Sequence, residues 1–204
     1  MKKIILILFL FTLQITNANS TANASTILFL GDSLTEGLGV NQEDAFPSLV
    51  ETLIETELNT TVMVINGGVS GSTTSDGLAR LKWYLKKKPS LMFLALGAND
   101  GLRGFDLKES QKNLEEVIEY AQEDNVTVLL AGMLIPPNYG LEYSEDFKKM
   151  YEDIAVKYKL KSMSFLLDGV AGEKSLNQKD GIHPNEEGHK VIAKKVFEFI
   201  KEYL

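Results

Sequence analysis

The sequence predicts a three-layer α/β sandwich with a parallel sheet at its centre. Two observations carry that reading. Short, wholly apolar runs alternate with segments of amphipathic helical spacing along nearly the whole chain. Three of those runs open into turns of glycine and polar residues: Gly31-Asp32-Ser33, Asn66-Gly67-Gly68 and Gly97-Ala98-Asn99. A strand buried on both faces reads as an unbroken apolar run, and in an open parallel sheet ligands sit in the crevice beyond the carboxyl ends of the strands. No repeat or low-complexity linker interrupts the alternation, so residues 25–204 read as one domain.

The elements follow in order. Ile27 to Leu30 is the first strand, broken at Gly31. Pro47 to Leu58 carries Leu49, Val50, Leu53, Ile54 and Leu58 at helical spacing, with Glu51, Glu55 and Glu57 opposite, and Asn59-Thr60 closes it. Val62 to Ile65 is the second strand, opening into Asn66 to Gly71. A helix from about Thr74 to Lys87 is ended by Pro89, and Leu91 to Leu96 is the third strand. Asp106 to Asp124 forms the next amphipathic helix, and Val126 to Ala131 the fourth strand. The loop from Met133 to Tyr143 contains Pro136-Pro137, Asn138 and Gly140; its length and stiffness suit a site wall. A helix from about Ser144 to Tyr158 leads to a fifth strand around Phe165-Leu166, and the last helix runs from near Asn185 to Tyr203.

Composition narrows the function classes. The 204 residues are 44% hydrophobic and 24% charged, an ordinary globular balance. With no cysteine, disulfides, thiolate metal sites and thiol chemistry are excluded, and two histidines, His183 and His189, argue against a dedicated zinc site. No metal and no cofactor is expected. The net charge is -7, and the one basic cluster, Lys86-Lys87-Lys88, reads as the solvated end of a helix, so a nucleic-acid partner is disfavoured.

Residues 1–24 read as a secretory signal. Lys2 and Lys3 precede an uncharged, mostly apolar run from Ile4 to Ile15, which is too short to span a bilayer, and Ala22-Asn23-Ala24 offers a cleavage site. A cut after Ser20, with Ala18 three positions from it, is the alternative. Loss of both lysines takes the net charge from -7 to -9. With no cysteine for lipid attachment, the mature chain is expected to be exported to the periplasm or secreted, with no stable membrane anchor. An uncleaved single-pass anchor is the competing reading. A monomer is expected.

The chemistry concentrates at two places. Ser33 follows the first strand on the crevice side, where it suits a nucleophile; the competing reading is that Ser33 or Asp32 merely caps the next helix. Far downstream stands Asp180-Gly181-Ile182-His183-Pro184. A serine nucleophile needs a base within hydrogen-bond reach and a third group to orient that base. His183 is the plausible base, because His189 falls inside the last helix and reads as structural. Asp180, three residues earlier on a glycine turn, can take the Nδ1 proton while Nε2 points towards Ser33. Donors for a developing oxyanion are available at the N–H groups of Gly71 and Ser33 and at the Asn99 carboxamide.

Taken together, Gly31-Asp32-Ser33-Leu34, Gly71 within Asn66 to Thr73, Gly97-Ala98-Asn99-Asp100 and Asp180-Gly181-Ile182-His183-Pro184 resemble the four blocks of the SGNH (GDSL) hydrolase family, in the family's order. The resemblance covers nearly the whole mature chain. It is closest to the bacterial exported branch known for thioesterase, arylesterase and lysophospholipase activity, which shares Asn99 to Phe105 and the Pro137-Asn138-Tyr139-Gly140 loop. It implies a flavodoxin-like sheet of five parallel strands, Ser33 as nucleophile, Asp180 and His183 as its triad partners, and an oxyanion hole from Ser33, Gly71 and Asn99. Departures are small: Thr35 stands where many members have serine, and the second turn reads Asn66-Gly67-Gly68.

Other readings fit the sequence less well. The serine lacks the G-x-S-x-G elbow of the α/β-hydrolase fold. A phosphoacceptor receiver or nucleotide-binding module conflicts with the export signal and with the lack of a phosphate-cradling Gly-rich Lys motif. A non-catalytic lipid- or carbohydrate-binding relative conflicts with the intact Ser, Asp and His. A carbohydrate O-deacetylase of the same family is the runner-up. It would favour a polar cleft, whereas the loops here carry Leu102, Phe105, Leu134, Ile135, Pro136, Tyr139 and Leu141. Leu102, Pro136 and Tyr139 are expected to bind substrate, a small-molecule or lipid ester with a medium or long acyl chain.

Overall fold

The computed structural model describes residues 25–204. The signal segment assigned to residues 1–24 lies outside them. No helix among the described residues is long and apolar enough to cross a membrane.

Five strands, β1 (Ser25–Gly31), β2 (Val62–Gly68), β3 (Leu91–Ala95), β4 (Thr127–Ala131) and β5 (Lys161–Met163), form one sheet in the order β2-β1-β3-β4-β5. Every pairing is parallel. The chain therefore winds outward from β1 in both directions, and the order reverses between β1 and β3. That reversal leaves a crevice at the carboxyl edge of the sheet. Ile27 to Leu30 and Met92 to Leu94 are fully buried, as expected of central strands covered on both faces.

The helices are α1 (Ser33–Glu36), α2 (Phe46–Leu58), α3 (Gly77–Tyr84), α4 (Ala98–Leu102), α5 (Leu107–Glu123), α6 (Leu141–Lys157) and α7 (Glu186–Ile200). On one face α2 packs against α7, and Phe46 of α2 and Phe199 of α7 meet Phe29 and Phe93 of the sheet at ring-centroid distances of 5.6 to 6.4 Å, with Phe29 and Phe93 themselves 5.5 Å apart. Tilted and edge-on contacts of this kind stabilise beyond the area they bury. On the other face α3, α5 and α6 pack side by side, with Leu81, Leu114, Val117, Ile118 and Phe147 buried. The expected three layers are present.

Besides the last helix, whose α-helical part ends at Ile200 and gives way to a 3-10 turn (Lys201–Tyr203), two elements differ from expectation. The segment from Thr74 to Lys87 is not one helix: a 3-10 turn (Thr74–Asp76) precedes α3, and another (Leu85–Lys87) follows it. The fifth strand is Lys161–Met163, not Phe165-Leu166. It is a three-residue edge strand paired only with β4, and its residues are exposed or half-buried, so no apolar run marks it. The chain leaves the sheet after Met163, which frees Phe165 to face the crevice and sends Leu166 into the core.

Candidate active site

β1 delivers Ser33 to the crevice. At the strand end Asp32 caps α1, its Oδ1 accepting the Leu34 N–H at 3.0 Å, and Gly37 ends that single turn at φ 85°. The capping role belongs to Asp32, so the Ser33 hydroxyl is left for other work. Asp32 is fully buried, and its Oδ2 has no partner among the described residues. Burial pushes its carboxyl up to about 6, against the smaller opposing pull of the Leu34 N–H.

The second segment reaches Ser33 from the far end of the chain. An antiparallel bridge between Asn177 and Pro184, with the Gln178 N–H donating to the His183 carbonyl at 2.8 Å, closes a turn over residues 178–183. Gly181 sits at φ 76° inside it. Asp180 Oδ1 accepts the N–H groups of Ile182 and His183, each at 3.0 Å, while Oδ2 lies 2.7 Å from His183 Nδ1. His183 Nε2 lies 3.0 Å from Ser33 Oγ. The hydrogen bonds from His183 and Ile182 hold the Asp180 carboxyl down at about 2. Ser33, His183 and Asp180 thus form a continuous hydrogen-bonded line.

Gly71 and Asn99 come from the ends of β2 and β3. Gly71 has φ 79°, a backbone conformation that strains any residue with a side chain, although a Cβ there would touch only Arg103 Nη2. Its N–H has no acceptor among the described residues. Asn99 Nδ2 donates one hydrogen to the Ser72 carbonyl at 3.0 Å and keeps its second free for another acceptor. The close approach of α1 to β2 also depends on a glycine, since a Cβ on Gly68 would fall on the backbone of Glu36.

Beside these groups opens a cavity of about 440 Å³. Ser33, Asn99 and His183 line it together with Leu34, Leu102, Leu134, Ile135 and Pro136. Leu102 and Pro136 stand where substrate contact was expected. Tyr139 does not: at the end of the 3-10 turn Pro137–Tyr139, it is 41% exposed and off the cavity wall. Phe105 and Leu141 are likewise exposed and outside it. Their places are taken by Phe165, Leu167 and Ile182, none of which was expected on the wall. The misplaced fifth strand hid Phe165 and Leu167, and Ile182 is apolar in a turn with no periodicity to mark it.

Several polar supports were also missed. Arg80 donates to the carbonyls at the ends of β1 and β2, Gly31 at 2.9 Å and Gly67, and to Ser72 Oγ at 2.8 Å. Buried Asp100 accepts from the Thr74 N–H at 3.0 Å, Thr74 Oγ1 at 2.6 Å and Ser110 Oγ at 3.0 Å, tying the β2 loop to the β3 loop. Asp100 stands in the third family block, Gly97-Ala98-Asn99-Asp100, but neither its supporting role nor that of Arg80 is marked by local sequence pattern. His189 is structural, as expected: it is buried in α7 with Nδ1 accepting the Phe46 N–H at 3.2 Å, and burial lowers it to about 4. Among the described residues no group of three His, Asp or Glu side chains is placed to hold a metal ion.

A flavodoxin-like sheet with this arrangement at its switch point defines a class. The chain belongs to the GDSL-like Lipase/Acylhydrolase family, whose model matches residues 29–191, and by that membership it is a carboxylic ester hydrolase. Among its relatives it is 36% identical to esterase TesA of Pseudomonas aeruginosa over 90% of this chain and 91% of that one. It is 34% identical to thioesterase 1/protease 1/lysophospholipase L1 of Escherichia coli K12 over 91% of this chain and 86% of the other. The crystal structure of the psychrotrophic esterase EstA from Pseudoalteromonas sp., inhibited by monoethylphosphonate, superimposes with a TM-score of 0.83 at 34% identity, covering 88% of this chain and 98% of that one.

Proposed function

We propose that this ester hydrolase works through an acyl-enzyme on Ser33 and prefers esters or thioesters with medium or long acyl chains. The observation that carries the mechanism is the hydrogen-bonded line from Ser33 Oγ through His183 to Asp180. His183 Nε2 takes the hydroxyl proton as Ser33 Oγ attacks the ester carbonyl carbon. The tetrahedral intermediate collapses, the bond to the leaving group breaks, and His183 returns the proton to the departing alcohol or thiol. Water then attacks the acyl-enzyme by the same route and releases the acid. Asp180, ionised down to about pH 2, holds Nδ1 and stabilises the imidazolium that forms.

The N–H groups of Ser33 and Gly71 and the free hydrogen of Asn99 Nδ2 serve the developing oxyanion. Donors of this kind are each worth on the order of 10² to 10³ in rate. The acyl chain occupies the cavity walled by Leu102, Leu134, Ile135, Pro136, Phe165 and Leu167. That apolar lining favours a lipid-type acyl group over acetate on a sugar. Inhibition of the EstA relative by a phosphonate supports a nucleophile of the same type here. Residues 1–24 act as a cleaved export signal, so the enzyme meets its substrate outside the cytoplasm.

Two measurements test the reading. A fluorophosphonate should add one equivalent of mass to the protein and none to Ser33→Ala; undiminished labelling of the variant rejects Ser33 as the nucleophile. In a panel of esters of graded chain length, a preference for acetyl esters, above all acetylated sugars, rejects the acyl-chain assignment in favour of a deacetylase.

A further inference from the structure

Of the three oxyanion donors, Gly71 is the one with no side chain to fix it. Its N–H belongs to the Ser70–Gly71 peptide, and a glycine at φ 79° offers little resistance to that peptide rotating between its neighbours. Both flanks of this peptide are gripped by charged side chains. Upstream, Glu36 Oε2 accepts the Ser70 N–H at 2.7 Å and the Ser70 hydroxyl. Downstream, Arg103 Nη2 donates to the Gly71 carbonyl at 3.1 Å. Charge-assisted bonds of this kind are roughly twice as strong as neutral ones.

The origins of the two grips connect them to the other donors. Glu36 is the last residue of α1, whose first residue is Ser33. Arg103 caps α4 at its carboxyl end, its N–H donating to the Asn99 carbonyl at 3.1 Å. Each helix that carries one oxyanion donor therefore also holds one flank of Gly71. Neither Glu36 nor Arg103 lines the acyl cavity, and both are exposed. Burial in the core does not account for either one.

We infer that Glu36 and Arg103 are positioning residues that clamp the Ser70–Gly71 peptide from both sides and keep the Gly71 N–H aimed at the oxyanion. The inference rests on the oxyanion role proposed above for Ser33, Gly71 and Asn99. Losing the aim of one donor should cost part of what the whole donor supplies, so each single variant falls short of the 10² to 10³ range.

The test compares Glu36→Ala and Arg103→Met with Asn99→Ala. Three quantities are read: kcat and KM on a short aryl ester, affinity for a trifluoromethyl ketone that forms a tetrahedral adduct with the serine, and affinity for the product carboxylic acid. In each clamp variant kcat and ketone affinity should fall together by about tenfold, with KM, product affinity and melting temperature nearly unchanged. Arg103→Lys, which keeps one donor, and Glu36→Gln, which keeps one acceptor, should recover part of the loss. Unchanged ketone affinity in both clamp variants, with Asn99→Ala losing it, overturns the clamp and leaves the oxyanion assignment standing. A loss seen only as a lowered melting temperature overturns it equally. If Asn99→Ala also keeps full kcat and ketone affinity, the oxyanion assignment itself fails.

Discussion

Asp180 divides its carboxylate between two tasks, Oδ1 holding the N–H groups of Ile182 and His183 and Oδ2 standing 2.7 Å from His183 Nδ1. One oxygen shapes the turn that presents the histidine, and the other sets the orientation of its ring. An amide keeps the first function through its own oxygen and reverses the second, because its nitrogen then faces Nδ1. Asp180→Asn should therefore retain its fold by circular dichroism and lose kcat by on the order of 10⁴, the scale of a wrong-tautomer defect in other triads. Since the carboxylate stays ionised to about pH 2, activity lost between pH 6 and 4 should not trace to Asp180.

Asn99→Ala removes the Nδ2 hydrogen proposed to serve the oxyanion and also the bond to the Ser72 carbonyl. The first loss should lower kcat by on the order of 10² to 10³ with KM changed little. The second should cost about 0.5 to 1.5 kcal/mol of stability, read as a shifted denaturation midpoint. Intact kcat with the full stability loss would make Asn99 a turn residue only.

The cavity wall makes a graded expectation for substrates. Each methylene buried between Leu102, Pro136 and Phe165 contributes about 0.8 kcal/mol, so kcat/KM should rise up to roughly fourfold per added carbon until the wall ends. Leu102→Ala and Phe165→Ala should flatten that rise while leaving acetyl ester turnover nearly unchanged. Tyr139→Ala, off the wall, should leave the slope as it is; steady-state kinetics across the series checks all three.

Two buried groups pull stability in opposite directions over the same pH range. Between about pH 4 and 6 folded Asp32 keeps a proton that the unfolded chain has released, so stability falls as pH rises, by about 3 kcal/mol across the window. Asp32→Asn, which retains a capping oxygen, should gain stability over wild type at pH 7.5 and little at pH 4. Denaturant midpoints at the two pH values decide it.

For His189 the sign is reversed. Its folded value of about 4 lies below the usual histidine value near 6.5, so the unfolded chain takes up a proton that the folded chain refuses, and stability falls as pH drops, again by about 3 kcal/mol. His189→Gln keeps an acceptor for the Phe46 N–H and should lower stability at neutral pH while removing this acid-dependent part. In the wild type the two contributions oppose each other, and a nearly flat stability profile from pH 4 to 6 is expected from this pair.

Much of the protein was determined by sequence alone, for a local reason. Central parallel strands are covered on both faces, so Ile27 to Leu30 and Leu91 to Ala95 need unbroken apolar runs that any reader can see. Asp180 and His183 lie three residues apart, so one turn suffices to join them, and the strand ends at Ser33, Gly71 and Asn99 were placed by the same alternation. What local pattern does not carry was decided only by the tertiary structure. An edge strand with one neighbour, Lys161 to Met163, has no apolar signature, and its position determined that Phe165 and Leu167, not Tyr139, wall the cavity. The supports of the site are equally remote in sequence: Arg80 bridges the ends of β1 and β2, and Glu36 and Arg103 meet at residues 70 and 71 from opposite sides. Their partners are backbone groups, which every residue possesses, so only folding determines which ones they hold.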